Sequence, residues 1–171
     1  MKKVLFIIAH TGYQPAEYGV PKQACLDAGF EVVTASDASG VATAKDNSTT
    51  EVDVVLSDVD AKEYDGIFMI GGSGALKHLD VQETNRIFNE AMLHNMPYGA
   101  ICISPRILAK AHVLIDKKAT GWNGDGELEQ IFAQNNVQYI QKAVVVDENI
   151  ITASGPEAAE EFGNAIVALL S

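Results

Sequence analysis

The chain has 171 residues, a length that suits one domain. Apolar residues make up 47% of it and charged residues 20%, which is typical of a globular protein with a large core and excludes a mainly disordered chain. Twelve Lys and Arg residues against 23 Asp and Glu residues give a formal net charge of -11. Because such a surface repels phosphate backbones and anionic lipids, we expect neither a nucleic-acid partner nor a membrane partner.

The cysteine content and the hydropathy pattern limit the protein class further. Cys25 and Cys102 are too few for a disulfide framework and lack the spacing of a zinc site. The longest apolar run, residues 4–9, is far too short to cross a bilayer and too short for a signal peptide. We therefore expect a cytoplasmic protein.

Apolar strands and amphipathic helices alternate along the first half of the chain. The continuously apolar run over 4–9 predicts a strand that is buried on both faces, and a helix over 17–28 and a strand over 30–35 follow it. This order is typical of a right-handed βαβ unit. Residues 37–63 are polar, and we expect a hairpin or a loop excursion there.

The second half continues the alternation. A strand over 66–70 precedes a helix that opens at a capping box, Asp80 with Glu83. The remaining predicted elements are a strand over 98–102, helices over 105–112 and 126–135, an antiparallel pair over 137–153 and a helix over 157–170. The pattern predicts an α/β fold in which residues 1–171 form a single domain on a doubly wound, mainly parallel sheet.

The carboxyl ends of parallel strands meet at one edge of a sheet, and chemistry gathers there. Cys102 ends a predicted strand just before a helix, which is the layout of a nucleophile elbow without its usual glycines. A thiol at a helix N-terminus feels partial positive charge, so we expect a lowered pKa and a nucleophilic, oxidisable Cys102. The alternative is a small buried hydrophobe. Cys25 falls on the apolar side of a predicted helix and is expected in the core.

Other strand ends supply further candidates. The turn 71–74 (Gly-Gly-Ser-Gly) offers backbone N–H groups that suit an oxyanion hole, although a tight turn alone also favours glycine. Glu17 either complements the dipole of the first helix or acts as an acid or base. His10 is either a base or a satisfied polar group, and Ser104 and Gly155 are auxiliary candidates.

Four motifs carry a family resemblance over nearly the whole chain. They are Glu17-Tyr-Gly-Val-Pro21, Gly71-Gly72-Ser73-Gly74-Ala75, Ala100-Ile101-Cys102-Ile103-Ser104-Pro105, and Thr152-Ala-Ser-Gly155-Pro156 followed by Glu161-Phe162. In these motifs the sequence resembles the ThiJ/PfpI superfamily, which includes the Parkinson-associated deglycase-like protein and PfpI-type intracellular proteases.

The resemblance implies a flavodoxin-like or class I glutamine amidotransferase-like sandwich. It also implies that Cys102 is the nucleophile and Glu17 its partner, while backbone groups at Gly71, Gly72 and Ile103 form the oxyanion site. Members of this superfamily are mostly homodimers and need neither a metal nor a nucleotide, so we expect the same of this chain.

The sequence departs from the family at both histidine positions. PfpI-type proteases have His directly after the cysteine, where this chain has Ile103, and the other branch has His where this chain has Trp122. Without an imidazole, a protease-like acyl transfer lacks its usual proton carrier. The departures count against a peptidase and leave Glu17 as the acid and base, helped at most by His10.

The resemblance implies attack on small α-oxoaldehydes, as in cofactor-independent glyoxalases that turn methylglyoxal into lactate. In that scheme Cys102 adds to the aldehyde and Glu17, protonated beside the thiolate, moves the proton between carbons. The alternative is a redox sensor or stress-protective protein in which Cys102 is oxidised to the sulfinic acid. A PfpI-like peptidase or amidase is a weaker alternative.

Overall fold

Strands and helices alternate along residues 1–171, all of which the computed structural model describes. The strands are β1 (Lys3–Ile8), β2 (Thr11–Tyr13), β3 (Glu31–Ser36), β4 (Val41–Ala44), β5 (Thr49–Glu51), β6 (Val54–Val55), β7 (Gly66–Met69), β8 (Tyr98–Ile101), β9 (Lys118–Ala119), β10 (Gln138–Tyr139), β11 (Val144–Asp147) and β12 (Ile150–Ala153). The helices are α1 (Pro15–Asp27), α2 (Ala75–His78), α3 (Gln82–Leu93), α4 (Pro105–Lys110), α5 (Leu128–Gln134) and α6 (Ala159–Leu170). None of these helices has the length and apolar character needed to span a membrane.

Seven strands form the main sheet, in the order β11-β12-β8-β7-β1-β3-β6. Every neighbouring pair is parallel except β11 with β12. The residues of β1 from Val4 to Ile8 have no exposed surface, as expected of a central strand with helices on both sides. The predicted α/β fold with a mainly parallel sheet is confirmed.

Alternate side chains of β1 belong to two separate cores. Leu5 and Ile7 pack with side chains from α3, α4 and α5. Val4, Phe6 and Ile8 pack with side chains from α1 and α6. Since successive strand residues point to opposite faces, the sheet lies between these two groups of helices.

The capping box predicted at Asp80 and Glu83 is wrong. Helix α3 begins at Gln82, and the residue before it, Val81, makes no side-chain cap. The Asp80 carboxylate lies instead 3.6 Å from Lys110 Nζ of α4. The Asp80 side chain therefore forms an ion pair with α4 and does not cap the N-terminus of α3.

The polar segment over 37–63 contains the predicted hairpin, because β4 and β5 pair in antiparallel fashion. It also contains β6 of the main sheet. Strand β2, which the sequence did not predict, pairs in parallel with β4 and completes a separate three-stranded sheet. Lys45 directly follows β4, and its backbone N–H donates to the Tyr13 carbonyl oxygen at 3.0 Å. The connection between β1 and α1 therefore contributes β2 to this small sheet.

The antiparallel pair predicted over 137–153 is shorter than expected. Strands β11 and β12 pair over 144–153, and Glu148 turns between them with a φ of 55°. Strand β10 pairs in parallel with β9 in a separate two-stranded sheet. Residues 137–143 therefore lie outside the antiparallel pair.

A close contact holds α1 against α6. Gly163 of α6 faces α1 so closely that an added Cβ would lie 2.9 Å from Pro21 Cα and 3.3 Å from Ala24 Cβ. Glu17 is in the first turn of α1. The contact therefore helps to fix the position of the Glu17 side chain.

We expect Gly163→Ala to lower the free energy of unfolding by about 1–3 kcal/mol, because the added methyl group overpacks the contact between α1 and α6. Gly19→Ala is the matched control, since Gly19 is an exposed residue of α1 where an added Cβ would meet nothing within 4 Å. That change should raise stability by about 0.5–1 kcal/mol. Urea denaturation followed by circular dichroism measures both. Equal effects would show that the two helices are not in tight contact.

Candidate active site

Cys102 lies at a sharp turn directly after β8. Its φ is 64°, in the left-handed region that residues other than glycine seldom adopt. Its N–H donates to the Ala153 carbonyl oxygen at 2.9 Å, and its own carbonyl oxygen accepts the N–H of Trp122 at 2.6 Å. Pro105, which suits a first helical turn, begins α4 three residues later. These bonds hold the half-buried thiol in the strand–turn–helix geometry of a nucleophile elbow.

Glu17 lies beside Cys102 with no exposed surface. Its Oε1 accepts the backbone N–H of Gly71 at 3.0 Å, while Oε2 accepts no N–H or O–H. The carboxyl group lies close to the Cys102 side chain, and the two groups affect each other's pKa. Helix α1 brings it there because Pro15 suits the first helical position and the Gln14 side chain caps the helix.

Glycines at two positions allow this approach. A Cβ on Gly71 would lie 2.7 Å from Glu17 Oε1 and 2.8 Å from Cys102 Cβ. Gly72 has a φ of 119°, and a Cβ there would collide with the carbonyl oxygen of Gly12. A side chain at position 71 would therefore push the carboxyl and thiol groups apart, and one at position 72 would break the turn.

Burial dominates the electrostatics of the pair. It raises the pKa of Glu17 to about 7, and hydrogen bonds with Cys102 and Gly71 offset only part of this effect. Burial, followed by the negative charge of Glu17, raises the pKa of Cys102 to about 12, against the opposing effect of the Ile103 N–H. Such close groups titrate as a pair. The first proton therefore leaves near neutrality and the second only at high pH.

The lowered pKa that the sequence predicted for Cys102 is therefore wrong for the thiol beside an ionised Glu17. Helix α4 has only six residues and begins three residues after the cysteine, so its dipole has little effect at the sulfur. Of the nearby backbone groups, the Ile103 N–H is the one that favours the thiolate. Burial and a neighbouring carboxylate outweigh it.

The pair opens into a cleft of about 580 Å³. The other residues that line it are Gln14, Lys45, Gly72, Ser73, Leu76, Ile103, Trp122, Pro156 and Glu157. The backbone N–H groups of Gly72 and Ile103 donate to no oxygen of the protein, so both are free to bind an oxygen of a ligand. No group of three or more His, Cys, Asp or Glu side chains is arranged to hold a metal ion.

The predicted auxiliary residues do not line the cleft. The chain turns into β2 after β1, and the His10 ring Nε2 lies 3.0 Å from the Ser39 carbonyl oxygen. Ser104 is fully buried, and its Oγ donates to the Ile70 carbonyl oxygen at 2.7 Å. Gly155 has extended backbone, and the two residues after it reach the cleft. The positions of His10 and Ser104 therefore do not support a direct role in chemistry.

Three polar or charged cleft residues lie outside the motifs that the sequence analysis identified. Glu157 directly follows the Gly-Pro motif, and its charge raises the pKa of both Glu17 and Cys102. That motif is a signal that could have identified it. Lys45 and Gln14 reach the cleft through the small sheet and the cap of α1, and no periodicity or motif marks either residue.

Glu17 should make stability fall as the pH rises. The carboxyl group ionises at about 4.5 in the unfolded chain but stays protonated to about 7 in the folded protein, so the folded state binds more protons between these values. The stabilisation is fully present below a pH of about 4.5 and is lost as the pH rises through about 7. The loss is about 3 kcal/mol at about 1.4 kcal/mol per pKa unit.

Urea denaturation of the wild type and Glu17→Gln at pH values from about 4 to 8 measures this effect, and the difference between the two proteins isolates the carboxyl group. We expect the wild type to lose stability relative to the variant over this range. A difference that stays constant with pH would contradict a neutral, buried Glu17.

Known proteins share this sequence and this architecture. The sequence profile of the DJ-1/PfpI family matches residues 2–169. Deglycase PfpI of Pyrococcus furiosus is 28% identical over 154 residues, which cover 90% of each chain. The crystal structure of a ThiJ/PfpI domain protein from Brachyspira murdochii matches with a TM-score of 0.92 at 28% identity, over 98% of this chain and 95% of that one. Drosophila melanogaster DJ-1beta matches with a TM-score of 0.88 at 26% identity, over 99% and 90%. These matches confirm the resemblance seen in the motifs, and the chain belongs to the DJ-1/PfpI family.

Proposed function

We propose that this protein is a cofactor-independent enzyme of the glyoxalase or deglycase type that acts on small α-oxoaldehydes, with Cys102 as the nucleophile and Glu17 as the acid and base. One observation carries the proposal. A thiol at a strained turn and a fully buried carboxyl group lie next to each other at a cleft with free N–H donors. The printed name of the Pyrococcus furiosus relative, a deglycase, also supports carbonyl chemistry.

We assign the reacting form of the pair to the state in which the Glu17 carboxylate has taken the proton of the Cys102 thiol, so that the single negative charge lies on the sulfur. The free pair loses its first proton from Glu17, because the Glu17 pKa of about 7 lies below the pKa of about 12 of the thiol. A charge on Glu17 would be fully buried, with Oε2 lacking any N–H or O–H donor. The sulfur of Cys102 lies at the cleft, is favoured as a thiolate by the Ile103 N–H, and can accept a hydrogen bond from protonated Glu17. Two negative charges at this separation repel, so one group stays protonated near neutrality.

The reaction starts when the Cys102 thiolate attacks the aldehyde carbon of methylglyoxal and forms a carbon–sulfur bond. Glu17 gives its proton to the resulting alkoxide, which yields a hemithioacetal. Glu17, now a carboxylate, removes the hydrogen of that carbon as a proton and returns it to the neighbouring carbon. The hydroxyl proton passes to the neighbouring oxygen in the same isomerisation, which yields a thioester of lactate. Water attacks the thioester and gives a proton to Glu17. Lactate leaves, and the thiolate is restored.

The free N–H groups of Gly72 and Ile103 are the donors for the oxygen that becomes negative in this scheme. Fixed donors of this kind stabilise the transition state because they need no reorganisation when charge develops. They also remain in place in Glu17 variants, because they belong to the backbone. The scheme therefore assigns proton transfer to Glu17 and charge stabilisation to the turns.

Lactate production from methylglyoxal tests the proposal. We expect turnover by the wild type, loss of it to the buffer rate in Cys102→Ala, and a fall of about 100-fold or more in Glu17→Gln, whose amide cannot transfer a proton. Cys25→Ala is the matched control, since Cys25 is a fully buried residue of the core that does not line the cleft. It should keep the wild-type rate. Equal rates for the wild type and Cys102→Ala would overturn the proposal.

Redox sensing through Cys102 is a second candidate function, favoured by the settings of the two thiols. Cys102 is half-buried at a cleft, whereas Cys25 is fully buried, and burial raises the pKa of Cys25 to about 11. A sulfenic acid formed at Cys102 would therefore find no second thiolate to form a disulfide. Hydrogen bonds from Glu17 and the Gly72 N–H would hold a sulfinate.

Graded peroxide followed by intact-mass measurement tests this second function. We expect a gain of about two oxygens that dithiothreitol does not reverse, absent in Cys102→Ala and unchanged in Cys25→Ala. A loss of two hydrogens that dithiothreitol reverses would instead indicate a disulfide between the two cysteines. Oxidation without lactate production would favour the sensor over the enzyme.

Peptidase or amidase activity is the weakest candidate. No histidine lines the cleft, and Ile103 and Trp122 occupy the two positions at which the family resemblance implies one. Cleavage of an amide needs a proton for the leaving amine as well as a base for the nucleophile. Of the two carboxyl groups that raise the pKa of the Cys102 thiol, Glu17 has the larger effect and Glu157 the smaller.

A further inference from the structure

Four apolar side chains line the cleft beside the reacting pair, namely Leu76, Ile103, Trp122 and Pro156. Trp122, the only tryptophan of the chain, is 38% exposed and Leu76 is 41% exposed. We propose that these four side chains, hereafter the apolar subsite, bind an aryl or bulky apolar group of the substrate. This inference rests on the proposed function, and it names the preferred substrates as uncharged aryl α-oxoaldehydes such as phenylglyoxal.

The Trp122 ring is fixed in place from several directions. The Arg106 guanidinium lies 5.5 Å from the ring centroid, and its Nη2 donates to the Trp122 carbonyl oxygen at 3.1 Å. Arg106 itself is buried and makes a bidentate ion pair with Asp125 at 2.7 and 3.0 Å. Gly124 packs directly against the ring, where a side chain would collide with it. These contacts hold the ring in position at the cleft before any ligand binds.

The apolar subsite is connected to the nucleophile through the backbone. The N–H of Trp122 donates to the carbonyl oxygen of Cys102, and Ile103 is the next residue in the chain. A group bound on the subsite would therefore lie next to the carbon that the sulfur attacks. A flat aromatic surface suits an aryl group, since aromatic pairs add to the free energy of apolar burial.

Size and charge favour the same class of substrate. A cleft of about 580 Å³ is within the range of small-molecule sites, and methylglyoxal would leave most of it empty. Glu17 and Glu157 line the cleft with Lys45 as its one cationic side chain, and the formal net charge of the chain is -11. An anionic substituent would meet repulsion there, whereas a neutral aryl group would not.

Kinetics with phenylglyoxal and methylglyoxal test the subsite. We expect the wild type to have a kcat/KM about tenfold higher for phenylglyoxal. Trp122→Ala should lower the ratio of the two kcat/KM values to near one, and Trp122→Phe should keep most of it because a ring remains. Leu93→Ala is the matched control, because Leu93 is an apolar residue with 77% exposure outside the cleft. It should leave the ratio unchanged.

Binding can be measured without turnover, because Trp122 is the only tryptophan and its fluorescence reports on the cleft. We would titrate Cys102→Ala with 1-phenyl-1,2-ethanediol and with 1,2-propanediol, which share a neutral diol and differ in the phenyl or methyl group. We expect a saturable change in emission with the phenyl compound, at a Kd about tenfold or more below that of propanediol.

The two experiments separate the subsite from the reaction. Equal Kd values for the two diols, or a wild-type ratio of kcat/KM near one, would overturn the apolar subsite even if both aldehydes are turned over. Preferential binding of the phenyl diol without turnover of either aldehyde would support the subsite and overturn the proposed reaction. If Trp122→Ala does not fold, Trp122→Phe and the fluorescence titration still decide the question.

Discussion

The site depends on one constraint, which is that the Glu17 carboxyl group has no access to solvent. Its only N–H donor is the backbone of Gly71, which does not compensate for the loss of hydration, so burial keeps the group neutral to about pH 7. A neutral carboxyl group beside a thiol can donate a hydrogen bond, whereas an ionised one repels the thiolate. The packing of α1 against the sheet and α6 therefore decides the chemical character of Cys102 as much as the cysteine's own turn does.

The order of the strands explains why these groups meet. Strands β12, β8, β7 and β1 are adjacent and parallel, so their carboxyl ends lie side by side. Glu157 comes after β12, Cys102 after β8, Gly71 after β7 and Glu17 after β1, on the helix that begins beyond β2. Four segments that are distant in sequence thus contribute to one cleft, in the place where open parallel sheets bind their ligands.

The sequence reveals those parts of the fold that depend on burial alone. The run of β1 is apolar because both faces are covered, and Cys102 and Glu17 are recognisable because motifs mark them. The small sheet of β2, β4 and β5 was harder to predict because its strands are short and because β2 and β4, which pair with each other, are far apart in the chain. The Asp80 cap and the pKa of Cys102 were predicted wrongly for a related reason. An ion pair with Lys110 and the burial of the thiol are tertiary effects that no local pattern contains.

The absence of a histidine at positions 103 and 122 bears on both the proposed reaction and the apolar subsite. Ile103 and Trp122 place apolar surface at the cleft, at the two positions where the family resemblance implies imidazoles. Hydrolysis of an amide needs proton transfers at both the nucleophile and the leaving amine, whereas moving a proton between two adjacent carbons needs one group that first gives and then takes. In the proposed reaction Glu17 meets that second requirement, because burial brings its pKa to about 7, where both of its protonation states are accessible. The loss of imidazoles therefore removes little from an isomerisation of an α-oxoaldehyde, and the apolar groups that replace them provide a surface on which the rest of such a substrate can bind.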